Sequence, residues 1–134
     1  MAKLIDVEGI GPVSAKKLKN AGVGSTDSLL SMGRTSAGRK ELAKKSGISE
    51  RLILEWVNHV DLFRVKGVGE EYADLLEEAG VDTVVELAKR KADNLHAKLA
   101  EVNASKNLVN KMPAISQVEN WIIQAKKLPR AVEY

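Results

Sequence analysis

Gly9, Gly11, Pro12, Val13 and Ser14, followed by Lys16, Lys17 and Lys19, can hold an anion. Glycines two positions apart make a tight turn that leaves no Cβ to block a close approach. The turn runs into a helix whose first N–H groups have no intrahelical acceptor and sit at the positive end of its dipole. Pro12 at the first helical position fixes the entry without removing a needed donor. The amides of Gly9, Ile10, Gly11, Val13 and Ser14, with that of Ala15, are then read as donors to a phosphate oxygen, with the Ser14 hydroxyl adding another. Lys16, Lys17 and Lys19 supply charge, and Arg39 and Lys40 lead a basic connector that includes Arg34, Lys44 and Lys45.

The device occurs twice. "VEGIGPVSAKKL" at 7–18 returns as "VKGVGEEYADLL" at 65–76, and ungapped comparison of 7–33 with 65–91 gives 9 identities in 27 positions, all glycine or aliphatic. The copies therefore share a backbone path and a core pattern but not a surface. Glu70 and Glu71 stand in the first helical turn of the second copy, where the helix dipole favours carboxylates and a phosphate would otherwise sit. Tyr72 stands in place of Ser14 and is expected to crowd an approaching backbone. Asp74, Glu77 and Glu78 continue an acidic face.

The elements that position these residues read as short helices. Helices are expected over about 12–21 and 70–79, ending at Gly22 and Gly80, with a basic helix over 36–45 ending at Gly47. Ser25 or Thr26 caps the helix after the first turn, and Thr83-x-x-Glu86 is a capping box for its counterpart. Ser49 caps a helix with Trp56 on its apolar stripe, and Ser116-x-x-Glu119 opens one with Trp121 on its stripe. Both tryptophans are read as core anchors rather than stacking platforms. Residues 94–112 read as two short helices broken near Asn103–Ser105. No alternating strand pattern of useful length is present, so the fold class is all-α: a pseudo-repeat of helix groups, 1–64 and 65–134, around one core as one compact unit.

The pattern h-x-G-h-G, with Ala four residues after the second glycine and a helix ending at Ala-Gly-h, resembles the helix-hairpin-helix motif. Two copies resemble the tandem helix-hairpin-helix domain of DNA-handling proteins. With "GRKELAKKSGIS", "NLHAKLAEVN" and "WIIQAKKLP", the whole chain resembles a bacterial family catalogued as domain of unknown function 4332. The motif resemblance implies that hairpin amides hold the DNA backbone without reading base sequence.

Composition narrows the alternatives. The 134 residues are 44% hydrophobic and only 4% aromatic, which favours an aliphatic helical core. There is no cysteine, so disulfides and thiolate-bound zinc or iron–sulfur centres are excluded and a cytoplasmic setting is expected. No apolar run approaches ~18 residues, so no membrane span is expected. Formal net charge is +3; residues 1–64 carry 11 Lys and Arg against 7 Asp and Glu, whereas 65–134 carry 10 against 11. The basic excess thus falls in the first half.

Nothing in the chain reads as catalytic. His59 and His96 lie 37 positions apart with no zinc-like spacing, and "GIGPVSAKKL" lacks the gap of a Walker A loop. Neither the second lobe of a glycosylase nor the carboxylate cluster of a metal-dependent nuclease is evident, so no cofactor or metal is expected. The expectation is weak, salt-dependent, sequence-independent nucleic-acid binding, DNA before RNA, through the first turn. A second copy or a protein partner would complete a duplex clamp. The alternative is a protein-interaction module whose acidic second repeat meets a basic partner.

Overall fold

A computed structural model describes residues 3–134, which form helices and connecting loops with no strand among them. After a short 3-10 turn at Leu4–Asp6, the order is α1 (Pro12–Asn20), α2 (Thr26–Met32), α3 (Ser36–Ser46), α4 (Glu50–Leu62), α5 (Glu70–Glu78), α6 (Val84–Ala88), α7 (Ala92–Lys106) and α8 (Ile115–Lys127).

The chain divides into two compact units rather than gathering around one core. The first runs to Asp61 and takes back Ala131–Tyr134; the second is Leu62–Arg130. In the first, α1 and α2 pack on α3, and Leu18, Leu29, Leu42, Ile53, Trp56 and Val57 are fully buried. In the second, α8 packs on α6 and α7, and α5 on α7. Leu62, Leu75, Leu76, Leu87, Leu95, Leu99 and Trp121 lie in one continuous cluster drawn from that unit alone.

Redrawing the boundary changes the charge reading. The first unit holds 10 Lys and Arg against 8 Asp and Glu, because Arg64 leaves it and Glu133 joins it. The second holds 11 against 10. The basic excess is therefore spread over both units, and what distinguishes the first turn is local placement.

Side-chain caps start three of the helices, Ser49 Oγ accepting from Leu52 N at 3.3 Å in α4. Ser25 Oγ accepts from the Ser28 amide at 3.1 Å while Ser28 Oγ accepts from the Ser25 amide at 3.0 Å, a reciprocal box that starts α2. Thr35 Oγ1 accepts from Gly38 N at 3.0 Å to start α3, and Gly47 ends it in the left-handed region at φ 75°. Thr83 stands at the N-cap of α6 without a side-chain cap bond: its hydroxyl donates to the Glu86 carboxylate, so the expected capping box does not form.

Two expectations shift. α7 runs unbroken through Asn103–Ser105 and ends only at Asn107, which has φ 48°. Asn103 does not break the helix because its side-chain amide is engaged elsewhere: it donates to Val109 O at 3.1 Å and accepts from Val109 N at 2.9 Å, folding the following loop back. α8 starts at Ile115, before Ser116. Gln117 rather than Glu119 reaches back, its Oε1 accepting from Ala114 N at 2.7 Å.

Candidate functional site

The first glycine turn begins at the 3-10 turn. Val7 N donates to Leu4 O at 3.1 Å and Ile10 N to Val7 O at 3.0 Å. Gly9 takes φ 91°, and the chain enters α1 through an extended Gly11 with φ −88° and ψ −178°. The helix leaves through Ala21 and Gly22: Val23 N donates to Leu18 O at 2.8 Å and Gly22 N to Lys19 O at 3.0 Å, the paired bonds of a Schellman end.

The second turn follows the same course 58 positions on. Val65 N donates to Leu62 O, Val68 N to Val65 O and Val81 N to Leu76 O, at 3.1, 3.1 and 2.9 Å. Gly67 has φ 96°, and Gly69 is extended. Each turn rests on a tryptophan. A Cβ on Gly9 would stand 3.0 Å from the Trp56 indole nitrogen, and one on Gly67 the same distance from that of Trp121. Trp56 and Trp121 are 1% and 2% exposed, so both are core anchors.

Several expected donors at the first turn are spent. The Ile10 amide is bonded to Val7 O and its side chain is buried, so Ile10 anchors the turn instead of offering an N–H. The Ala15 amide donates to Gly11 O at 2.9 Å. The amides of Gly9, Gly11, Val13 and Ser14 meet no acceptor among the described residues. Gly9, Gly11 and Val13 are exposed, Val13 to 69%, and Ser14 is half-buried. Lys16, Lys17 and Lys19 are exposed on α1, and none makes an ion pair with another described residue. No acidic residue stands in the first turn of α1, whereas Glu70 and Glu71 occupy that of α5.

Arg39 leaves the candidate set. It is 5% exposed, and its guanidinium donates to Gly33 O at 2.9 Å, Arg34 O at 3.0 Å and Glu133 O at 2.8 Å. Its charge is absorbed by three carbonyls, so it fastens the C-terminal residues to the first unit. Arg34 pairs with the Glu133 carboxylate at 3.1 Å, and Lys45 with Glu41 at 3.2 Å. Lys40 remains exposed on α3.

The second turn is elaborated differently. Tyr72 does not stand in the approach to the turn: its ring lies 5.3 Å from that of Trp121, tilted by 51°, and its hydroxyl donates to Lys111 O at 3.0 Å. Gln124 accepts from Lys66 N at 2.8 Å and donates to Lys66 O at 3.1 Å. The signal for that clamp in the sequence is that Gln124 lies one helical turn after Trp121, on the flank of the face that reaches Gly67. His96 is also structural, its Nε2 3.0 Å from Pro113 O. His59 is buried.

A family model, "Domain of unknown function (DUF4332)", matches residues 8–128 of the 134. The chain belongs to the DUF4332 family. The matched span takes in both glycine turns, both tryptophans and all eight α-helices. No curated protein and no solved structure matches the chain. No described helix is long and apolar enough to cross a membrane.

Proposed function

We propose that the first glycine turn is a helix-hairpin-helix element that holds the backbone of nucleic acid, DNA in preference to RNA, without reading sequence. The reading rests above all on one observation. The amides of Gly11, Val13 and Ser14 have no acceptor among the described residues and open onto the start of a helix whose exposed face carries Lys16, Lys17 and Lys19. Backbone N–H groups at a helix start fit a phosphate oxygen, and lysines on the same helix neutralise its neighbours. In this reading the protein acts in the cytoplasm, is not an enzyme and needs no cofactor.

The second turn serves folding. Glu70 and Glu71 fill the niche that a phosphate would take. A single open turn implies micromolar or weaker binding at physiological salt, with about 0.9 of log–log salt slope for each phosphate neutralised. A second copy would bring two such turns to one duplex.

Fluorescence anisotropy of a labelled duplex at two salt concentrations tests the reading. Expected is binding that weakens steeply with salt and is abolished in Lys16→Glu/Lys17→Glu, while Lys40→Glu has a smaller effect. Absence of binding at low salt, or binding indifferent to the double substitution, rejects it.

A further inference from the structure

Beside the first turn, on the flank of α1, the surface opens into a groove of about 420 Å³. Its apolar wall is Leu4, Ile5 and Ala15, and its rim carries Lys3, Lys16 and Lys19. Ile5 is 56% exposed, a large aliphatic side chain left in water in a groove that three lysines also line. No carboxylate lines the groove among the described residues. Neither Lys3, Lys16 nor Lys19 is ion-paired with another described residue.

The repeat supplies an internal comparison. Fifty-eight positions on, the residues matching Lys3, Lys16 and Lys19 are Asp61, Asp74 and Glu77, and Ile5 is matched by Phe63. Phe63 is half-buried and packs against the core of its own unit. An exposed apolar residue sharing a groove with lysines is therefore no requirement of this backbone. The open groove of the second unit, lined by Arg90, Lys91, Ile123 and Lys126, also carries Glu119 on its wall, so the unmixed positive rim belongs to the first.

We infer that this groove docks an acidic segment of a partner protein, an amphipathic peptide that seats one or two aliphatic side chains on Ile5 and Ala15 and sets carboxylates against Lys3, Lys16 and Lys19. The charge fixes the sign of the occupant and the exposed aliphatic wall fixes its second property. Phosphodiester backbone satisfies the lysines but leaves Ile5 uncovered, whereas a peptide with apolar and acidic faces covers both. The docking stands on the groove alone. A consequence rests also on the nucleic-acid reading above: Lys16 and Lys19 serve both surfaces, so peptide and nucleic acid exclude one another.

The test uses the full chain and a short fluorescein-labelled peptide with leucines on one helical face and glutamates on the other. A control peptide replaces each leucine with glutamine at unchanged charge. Expected is saturable binding of the first peptide, weakened about tenfold or more in Ile5→Ser, the scale of one aliphatic side chain's burial. Lys3→Glu weakens it as well. Neither residue belongs to the phosphate-holding set, so duplex binding is unchanged by Ile5→Ser. Ile5 is already exposed, and a thermal melt equal to that of the parent verifies that the variant folds.

The inference is overturned if the glutamine peptide binds as tightly, if Ile5→Ser leaves peptide affinity unchanged, or if Ile5→Ser removes duplex binding, which would give the groove to nucleic acid. Peptide binding without duplex binding sustains the docking and rejects the nucleic-acid reading. Simultaneous binding of both rejects the exclusion.

Discussion

The indole nitrogen of Trp56 lies 3.0 Å from where a side chain on Gly9 would begin, and Gly9 itself has φ 91°. Trp121 stands in the same relation to Gly67. The first glycine of each turn is thus fixed by two independent constraints, a left-handed backbone and an indole with no room above it. Gly9→Ala is expected to cost about 1–3 kcal/mol through backbone strain alone, with the contact adding to it. Denaturant unfolding with intrinsic tryptophan fluorescence measures the loss. A midpoint unchanged from the parent would mean the turn relaxes freely around Trp56.

Gly11 behaves differently. It is extended, and a Cβ there meets nothing within 4 Å. Gly11→Ala is therefore expected to leave stability within about 0.5 kcal/mol of the parent. Gly11 is the N-cap of α1, however, so an added methyl narrows the approach of a phosphate to the helix start that carries the unpaired amides of Val13 and Ser14. Duplex affinity should fall several-fold while the melting temperature holds. Unaltered affinity would show that these amides do not hold the phosphate.

The glycine turns, their helices and both tryptophans were legible because they depend on local pattern: glycine spacing, apolar stripes and caps. Arg39 and Ile10 are not legible in the same way, for two different reasons. A charged residue in a basic run is solvent-facing by default, and the carbonyls of Gly33 and Arg34 nearby, with that of Glu133 94 positions away, make Arg39 internal. Ile10 looked like a donor because its neighbours are. Its bond to Val7 O belongs to the glycine turn itself, since Val68 N makes the matching bond to Val65 O in the second copy. Residue type alone marks Asn103 as a breaker, while its side chain completes the Val109 loop at α7's end. The groove at Ile5 was missed because a lone aliphatic near lysines has no periodicity to flag it.

On the acidic side, Lys106 Nζ lies 2.5 Å from the Glu78 carboxylate. Hydrogen bonding to Glu78, then the charge of Glu78 and that of Asp74, raises the Lys106 pKa above the ordinary lysine value. A raised folded-state pKa adds stability that is fully present below the unfolded lysine value and is lost as pH rises through the folded one. Glu78→Gln should therefore lower the melting temperature slightly at neutral pH. The difference from the parent should vanish in strongly alkaline buffer and shrink in high salt, since both groups are solvent-exposed. A difference that persists at alkaline pH would assign the effect to packing of Glu78 instead.

Arg39 and the C-terminal residues form one mechanical unit. The guanidinium bonds the carbonyls of Gly33, Arg34 and Glu133, the Glu133 amide donates to Arg34 O at 2.8 Å, and Val132 is 2% exposed. Arg39→Met keeps much of the aliphatic stem but leaves the buried Gly33 carbonyl and the part-buried Glu133 carbonyl without this donor, while Arg34 O keeps the Glu133 amide. The expected cost is about 2–3 kcal/mol, the scale of buried hydrogen bonds to a charged group. Arg39→Lys should recover little of it, because a single ammonium cannot reproduce the planar fork that reaches three carbonyls. Removing residues 131–134 takes away one of those carbonyls and the buried Val132, so its cost and that of Arg39→Met overlap. The double variant should be less destabilised than the sum of the two, by about 0.5–3 kcal/mol in a thermodynamic cycle. Strict additivity would mean that Arg39 stabilises the α2–α3 connection alone and that the C-terminal residues are held by Val132 and by Arg34 with Glu133.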